Sequence, residues 1–405
     1  MRSTKRKRSF GVAFLFFLQK ILHNSKKSST FAAVHIYIEF MSKLLFIQYR
    51  PFGAVMNGGD QGTKKNLEML GRVLGAENIE VYYLHDKAGK SSLLEYAKGA
   101  ALMPFGYFLG LTPAKVKAIA DKAQGFDYVF IDRSLFGVVA KGLKEAGYKG
   151  RILTSFQNTE VAYMEAKMPK HLPFRRVVIR CADRNDRWSC AYSDKVIVLN
   201  ERDKASLQSL YGRTAEIMIP VAMADKCKGQ KHDKQAMTSP KLRCLFLGAY
   251  FLANTEGIVW FMQNVYPQVE VEVKIVGRGM GKLKEEQPEL LRDIEVVNDA
   301  PDLVPYLEWA DVMVLPVFSG SGMKVKTCES LMYGKNILAT DEALEGYAIE
   351  PGKSAWRCNT PEEFIRTIQD FAQHPRPKCN EAARQCYLDH YSNEAVEQIY
   401  KELLN

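Results

Sequence analysis

The chain has 405 residues, 47% of them hydrophobic and 25% charged, which is enough material for two globular domains with separate cores. Its formal charge is +10, yet residues 1–40 hold eight Lys/Arg against the single acid Glu39, so the remaining 365 residues carry only about +3. A body this close to neutral argues against a genome-binding surface, and eight cysteines without a CxxC pair read as buried free thiols rather than disulfides or zinc ligands.

In chain order, Arg2–Arg8 followed by Phe10–Leu18 has the charged and apolar regions of a signal peptide. The apolar run, about nine residues, is too short to span a bilayer as a helix, and no small-x-small cleavage site follows. Residues 1–40 therefore read as a basic N-terminal extension upstream of the native start, with a membrane-surface segment as the alternative. From Met41, short apolar strands alternate with helical stretches. Strands are expected at Leu44–Tyr49, Ile79–Leu84, Tyr128–Ile131, Ile152–Ser155 and Val196–Leu199, with a final extended piece at Ile217–Pro220. The turn Asn57–Gly62 precedes a helix from Lys64 to Leu74 with Leu67, Leu70, Val73 and Leu74 at helical spacing. A short helix, Asp203–Tyr211, ends at Gly212. This first domain covers 41–220, and residues 221–240, rich in Lys, Gly and Gln, form a linker.

The pattern restarts in a second domain, 241–388. Strands are expected at Arg243–Leu247, Val271–Val276, Ile294–Val297, Val312–Leu315 and Ile337–Thr340, and helices at Glu256–Val265 and Pro301–Ala310. A C-terminal helix, 389–405, is expected to return to the first domain. Strand and helix alternation of this kind predicts an α/β fold with two Rossmann-like, doubly wound domains facing each other across a cleft. Ligands in such sheets sit beyond the carboxyl ends of the strands, where the glycine-rich turns fall.

The most informative stretch is Leu315–Thr340, LPVFSGSGMKVKTCESLMYGKNILAT. A strand runs into the Gly320-Ser321-Gly322 loop, which carries Lys324 and Lys326, and a helix with Glu329 follows. Free backbone amides at a helix N-terminus beside ammonium groups suit a diphosphate. A carboxylate there suits two adjacent ribose hydroxyls better than phosphate, although it could simply satisfy the helix dipole. Gly58 and Gly59 would let backbone approach the diphosphate from the other domain, or form an ordinary strand-to-helix turn. Arg278 follows a strand end and could touch diphosphate or base. Gln157, Asn158 and Glu160 lie just past another strand end, on the acceptor side. No His spacing suits a metal, and no DxD lies between apolar strands. Leu102–Leu111, strongly apolar, and Arg175–Arg187, with five arginines on one helix, could together seat the protein on an anionic membrane. Core packing and a solvated helix face are the competing readings.

Gly320–Lys326 with Glu329, Gly334 and Ala339-Thr340 resembles the GSGxRxKxxEAxxxGxPxxAT pattern of retaining glycosyltransferases of the GT-B fold, most closely glycosyltransferase family 4 (glycosyl transferases group 1). Leu245–Phe261 resembles the family's FxGxxxxxPNxxAxxWF segment, and Ser155–Tyr163 its HNxExxY segment, with Gln157 where histidine is frequent. The resemblance implies a nucleotide sugar, UDP- or GDP-linked, as co-substrate, with no further cofactor and no metal. It also implies a glycan acceptor, plausible as a lipid-linked glycan for surface polysaccharide, and a cytoplasmic enzyme with peripheral contact to the inner membrane and no nucleic-acid partner. Lys324, Lys326 and Gln157 take the catalytic positions; Gly58, Gly59, Arg278, Gly320, Ser321, Gly322 and Glu329 the donor positions; Asn158 and Glu160 the acceptor side. Two departures stand out. Many members carry a glutamate eight positions before Glu329, where this chain has Ser321, and many carry Arg and Lys in the loop that is here Gly248–Asn254, without a cation. A non-catalytic binding relative and a nucleotide-sugar epimerase are the alternatives. An NAD enzyme is disfavoured by the missing GxGxxG.

Overall fold

The computed structural model describes residues 42–53, 58–85, 99–168, 171–227 and 241–405. The expected extension, residues 1–40, and most of the expected linker lie outside them.

In the first lobe, β1 (Leu44–Gln48), β2 (Ile79–Tyr83), β3 (Tyr128–Ile131), β4 (Arg151–Ser155), β5 (Lys195–Val198) and β6 (Ile217–Met218) form a parallel sheet in the order β2-β1-β3-β4-β5-β6. Every residue of β1 and β3 is buried, as strands covered by helices on both faces require. Helix α1 (Gly58–Leu74) packs Met69, Leu70, Val73 and Leu74 onto this sheet. It begins six residues before the expected Lys64, so the glycine-rich segment is the helix's own opening turns. No apolar spacing marks them because Gly58 and Gln61 face the cleft rather than the core. Helices α2 (Glu160–Lys167), α3 (Arg175–Tyr192) and α4 (Glu201–Tyr211) follow. The Asn200 side chain caps α4 by accepting the Asp203 N–H at 2.8 Å, and Gly212 closes it at φ +67°.

In the second lobe, β7 (Leu242–Leu247), β8 (Val271–Gly277), β9 (Glu295–Asn298), β10 (Val312–Leu315), β11 (Asn336–Ala339) and β12 (Trp356–Arg357) make another parallel sheet, ordered β12-β11-β10-β7-β8-β9. Its helices include α5 (Leu252–Asn264), α6 (Val325–Met332), α7 (Asp341–Leu344) and α8 (Pro361–Gln373). Helix α5 starts four residues ahead of the expected Glu256. A capping box between Thr360 and Glu363 starts α8, whose Phe364, Ile368 and Phe371 reach the sheet at helical spacing. The last helix, α9 (Asn393–Leu404), crosses to the first lobe. There Val396, Tyr400, Leu403 and Leu404 join Leu44, Phe46 and Phe130, and the Tyr400 hydroxyl donates to Asn66 Oδ1 at 2.6 Å.

Both sheets reverse their winding beside their first strand, between β1 and β3 in one and between β7 and β10 in the other. Loops leaving such a pair of strands run to opposite faces and leave a crevice. The two crevices face each other. All eight cysteines are buried free thiols. Among the described residues, no helix is long and apolar enough to cross a membrane.

Candidate functional site

A cavity of about 930 Å³ lies between the lobes, where the two crevices meet. Its walls include Gly58, Gln61, Asn158 and Tyr163 from the first lobe, and Asn254, Arg278, Gly320, Ser321, Lys324, Lys326 and Glu329 from the second. The N-termini of α1 and α6 approach each other here. A Cβ placed on Gly58 would stand 3.4 Å from Val325 Cγ2. Each terminus offers backbone N–H groups without helical partners, and both helix dipoles favour negative charge in the space they share.

The loop before α6 is built on two glycines with positive φ, Gly320 at +140° and Gly322 at +62°. Gly322 also lies against the other lobe, because an added Cβ would be 2.9 Å from the Gln157 carbonyl oxygen. Ser321, at the position where many family members carry a glutamate, donates from Oγ to Asn158 Oδ1 at 3.3 Å. This loop is therefore a point of contact between the lobes as well as a wall of the cavity.

Lys324 and Lys326 do not act as a pair. Lys324 is the N-cap of α6, and its ammonium donates to Glu342 Oε1 at 2.6 Å and to the Gly322 carbonyl at 2.9 Å. Glu342 opens α7 and also receives Arg202 Nη1 of α4 at 2.7 Å, so the ion cluster joins the lobes. Lys326 lies inside the first turn of α6 and points elsewhere. Its Nζ donates to Asn254 Oδ1 at 2.6 Å and sits 4.6 Å from the centre of the Phe246 ring. Asn254 in turn donates from Nδ2 to the Ala249 carbonyl at 2.9 Å, which fixes its oxygen toward the ammonium. Among the described residues no carboxylate pairs with Lys326. Burial, reinforced by the Lys324 charge, lowers its pKa to about 7. The Gly248–Asn254 loop thus has no cation of its own but receives one: a Cβ on Gly248 would lie 3.0 Å from Lys326 Nζ.

Glu329 stands one turn farther along α6 and lines the cavity with Lys226 and Tyr333. Burial raises its carboxyl pKa, opposed by the Lys226 charge. Arg278 lines the cavity at the exit of β8, its carbonyl accepting the Tyr250 N–H at 2.7 Å.

Four expected residues do not line this cavity: Gly322, which lies against the Gln157 carbonyl, and Gly59, Gln157 and Glu160 of the first lobe. Gly59 lies one position deeper in α1, and its carbonyl accepts Thr63 Oγ1 at 3.1 Å. The Gln157 amide is turned toward α1, donating to Thr63 Oγ1 at 3.3 Å, the Gly59 carbonyl at 3.4 Å and Asp132 Oδ2 at 3.4 Å. Glu160 is buried as the first residue of α2, its N–H donating to Asp186 Oδ2 at 2.9 Å. It is held inside the first lobe next to that carboxylate.

The structure also brings in residues the sequence did not single out. Asp132, at the end of β3, is buried and accepts from Thr63 Oγ1 and from Asn66 Nδ2 at 3.0 Å. Burial outweighs these donors and pushes its carboxyl up to about 6. Asn254 belongs to a segment already matched, and that was its only signal. Arg202 and Glu342 carried none, since a surface ion pair and an interlobe one look alike in sequence. Among the described residues, no group of three or more His, Cys, Asp or Glu is placed to hold a metal ion.

Residues 241–374 match the family model described as glycosyl transferases group 1. No curated protein matches the sequence significantly. Among solved structures, the chain is similar to HepE of Anabaena in complex with UDP, at 12% identity and TM-score 0.62, covering 89% of this chain and 99% of that one. It is similar to sucrose-phosphate synthase of Thermosynechococcus elongatus, at 15% identity and TM-score 0.66 over 89% and 99% of the two chains. A glycosyltransferase of Rickettsia africae is similar at 14% identity and TM-score 0.59 over 90% and 98%. At such identities the likeness is one of fold, and that fold is GT-B.

Proposed function

We propose that the chain is a retaining, metal-independent glycosyltransferase that moves a sugar from a nucleoside diphosphate, most simply UDP, to a glycan acceptor. The observation that carries this reading is Lys326, a recessed ammonium with no carboxylate partner among the described residues, on the same cavity wall as Glu329 one helical turn away. A diphosphate at the two helix N-termini would supply the missing anion, and Glu329 would accept from the ribose hydroxyls. As the acceptor hydroxyl attacks the anomeric carbon, the bond from that carbon to the diphosphate oxygen breaks and negative charge grows on the leaving group. The acceptor proton passes to the departing phosphate, and attack on the same face preserves the anomeric configuration. Preplaced amides and an ammonium stabilise that charge without reorganising. Solved neighbours include one in complex with UDP, which favours UDP over GDP here. Eight buried thiols suit a reducing cytoplasm. The acceptor class that fits best is a lipid-linked glycan destined for surface polysaccharide.

The test is incubation of the purified protein with a panel of nucleotide sugars in chelator, followed by mass spectrometry and NMR. Slow donor hydrolysis releasing sugar of unchanged anomeric configuration is expected from one donor. No binding of any nucleoside diphosphate by calorimetry would remove the reading.

A further inference from the structure

The first lobe carries a surface on which exposed aromatic rings stand beside a row of arginines. Phe105 and Phe174 are 65% and 68% exposed, and Leu172 is 40% exposed. Phe174 is the N-cap of α3, and that helix presents exposed Arg176, Arg180, Arg184 and Arg187 at spacings of four, four and three, which is one helical face. The Phe105 turn is tied to this face, because Arg184 donates to the Pro104 carbonyl. Arg187 is paired with Asp183 at 2.9 Å. Arg176 and Arg180 have no hydrogen-bond or carboxylate partner among the described residues, so their charge faces solvent.

We infer that this face docks the protein on an anionic phospholipid bilayer. It deepens the reading above by stating where a membrane-borne acceptor is met. Exposed aromatic rings cost free energy in water and gain it at the headgroup–acyl boundary, while arginines beside them pair with lipid phosphates. A soluble acidic partner would use the arginines and leave the rings unexplained. Placement supports the same occupant. Tyr163 of α2 lines the cavity, and the next residue, Met164, packs against the buried cluster that holds Cys181 and Ala182 of α3. The packed side of α3 meets α2, which lines the cleft, and its opposite side carries the arginines, so the docking face lies on the same lobe as the cleft wall, two helices away from it.

Sedimentation of the full chain with vesicles tests this. Binding is expected to vesicles of phosphatidylcholine with about one third phosphatidylglycerol, and not to phosphatidylcholine alone. Each cation near an anionic surface contributes about fivefold to partitioning, so R176E/R180E should weaken binding about 25-fold or more. F105S/F174S should weaken it as well, with nucleotide-sugar binding by calorimetry unchanged in both variants as proof of folding. Because residues 5–8 are Lys-Arg-Lys-Arg, the K5Q/R6Q/K7Q/R8Q variant is the control and should retain most of the binding. The inference is overturned by equal binding to both vesicle types, or by loss in the control variant with retention in R176E/R180E. Binding to an RNA oligonucleotide that needs the arginines but not the phenylalanines would also overturn it. Vesicle binding by a protein that binds no nucleotide sugar would leave this surface standing and remove only the catalytic reading.

Discussion

Replacing Lys326 by Met separates function from stability, because the two should move in opposite directions. In the folded protein the ammonium is buried with one amide oxygen as partner, and its pKa falls from 10.5 to about 7. At ~1.4 kcal/mol per pH unit this corresponds to roughly 3–5 kcal/mol of unfavourable burial, the lower end applying because cavity water reaches part of the side chain. The sign follows from proton counting. Between pH 7 and 10.5 the unfolded chain binds more protons at this site than the folded one, so stability rises with pH across that window, and the penalty is fully present below it. Methionine removes the penalty but leaves Asn254 Oδ1 unpaired, costing about 1 kcal/mol. The variant should therefore be more stable than the parent at pH 6, by about 2 kcal/mol and some 2–3 °C in Tm, with the gain shrinking at pH 9. Donor chemistry should suffer: loss of one preplaced charge-stabilising group costs about 10²–10³-fold in turnover. In the parent protein, affinity for a nucleotide sugar, whose diphosphate diester does not titrate in this range, should be flat below pH 7. It should fall about tenfold per pH unit above that as the free ammonium deprotonates. Calorimetry from pH 6 to 9 and thermal denaturation read both. A K326M protein that binds nucleotide sugar within twofold of the parent, or that melts lower at pH 6, would refute the reasoning.

Three other substitutions probe the same cavity. Glu329→Gln should weaken UDP by about 10-fold or more, from loss of charge-assisted hydrogen bonds to ribose, while leaving inorganic pyrophosphate binding within about twofold; equal losses for both would exclude a ribose role. Glu342→Gln leaves the mostly buried Lys324 ammonium and Arg202 without their shared carboxylate, so the protein should lose about 1–3 kcal/mol of stability. UDP should then raise its Tm more than it raises that of the parent, and an equal rise would show that Lys324 does not meet phosphate. Asp132→Asn takes away an acceptor shared by Thr63, Asn66 and Gln157. Because the Gln157 amide is turned away from the cavity, the expected result is unchanged UDP affinity and kcat, and a kcat about tenfold lower would instead bring Gln157 into the reaction.

How much could be read beforehand varies from element to element. Strand β10 was located to the residue because Val312–Leu315 is buried on both faces and so is apolar without interruption. The onset of α1 was missed because its first turns face a cavity, and apolar spacing reports only what faces a core. The Gly320–Gly322 loop was legible because left-handed backbone beside another chain segment leaves few residues but glycine. Glu160, in a polar stretch past a strand end, was open to misplacement, since polarity does not tell a cleft residue from a buried helix start next to Asp186.

The sequence alone determined the alternation of apolar strands with helices, and the glycines and two lysines around the start of α6. These depend on local backbone preference and on which side chains must leave water. Strand order was not among them, since a parallel crossover of the same residues can lie on either side of its first strand. Only the assembled sheets placed the opening of α1 and the loops after β7 and β10 in one interlobe space. Nor did spacing decide between the two lysines. Whether Lys324 or Lys326 faces the cavity uncompensated depends on where α6 starts and what its buried residues Thr327, Cys328 and Leu331 pack against. That packing turned one ammonium toward Glu342 and left the other on Asn254.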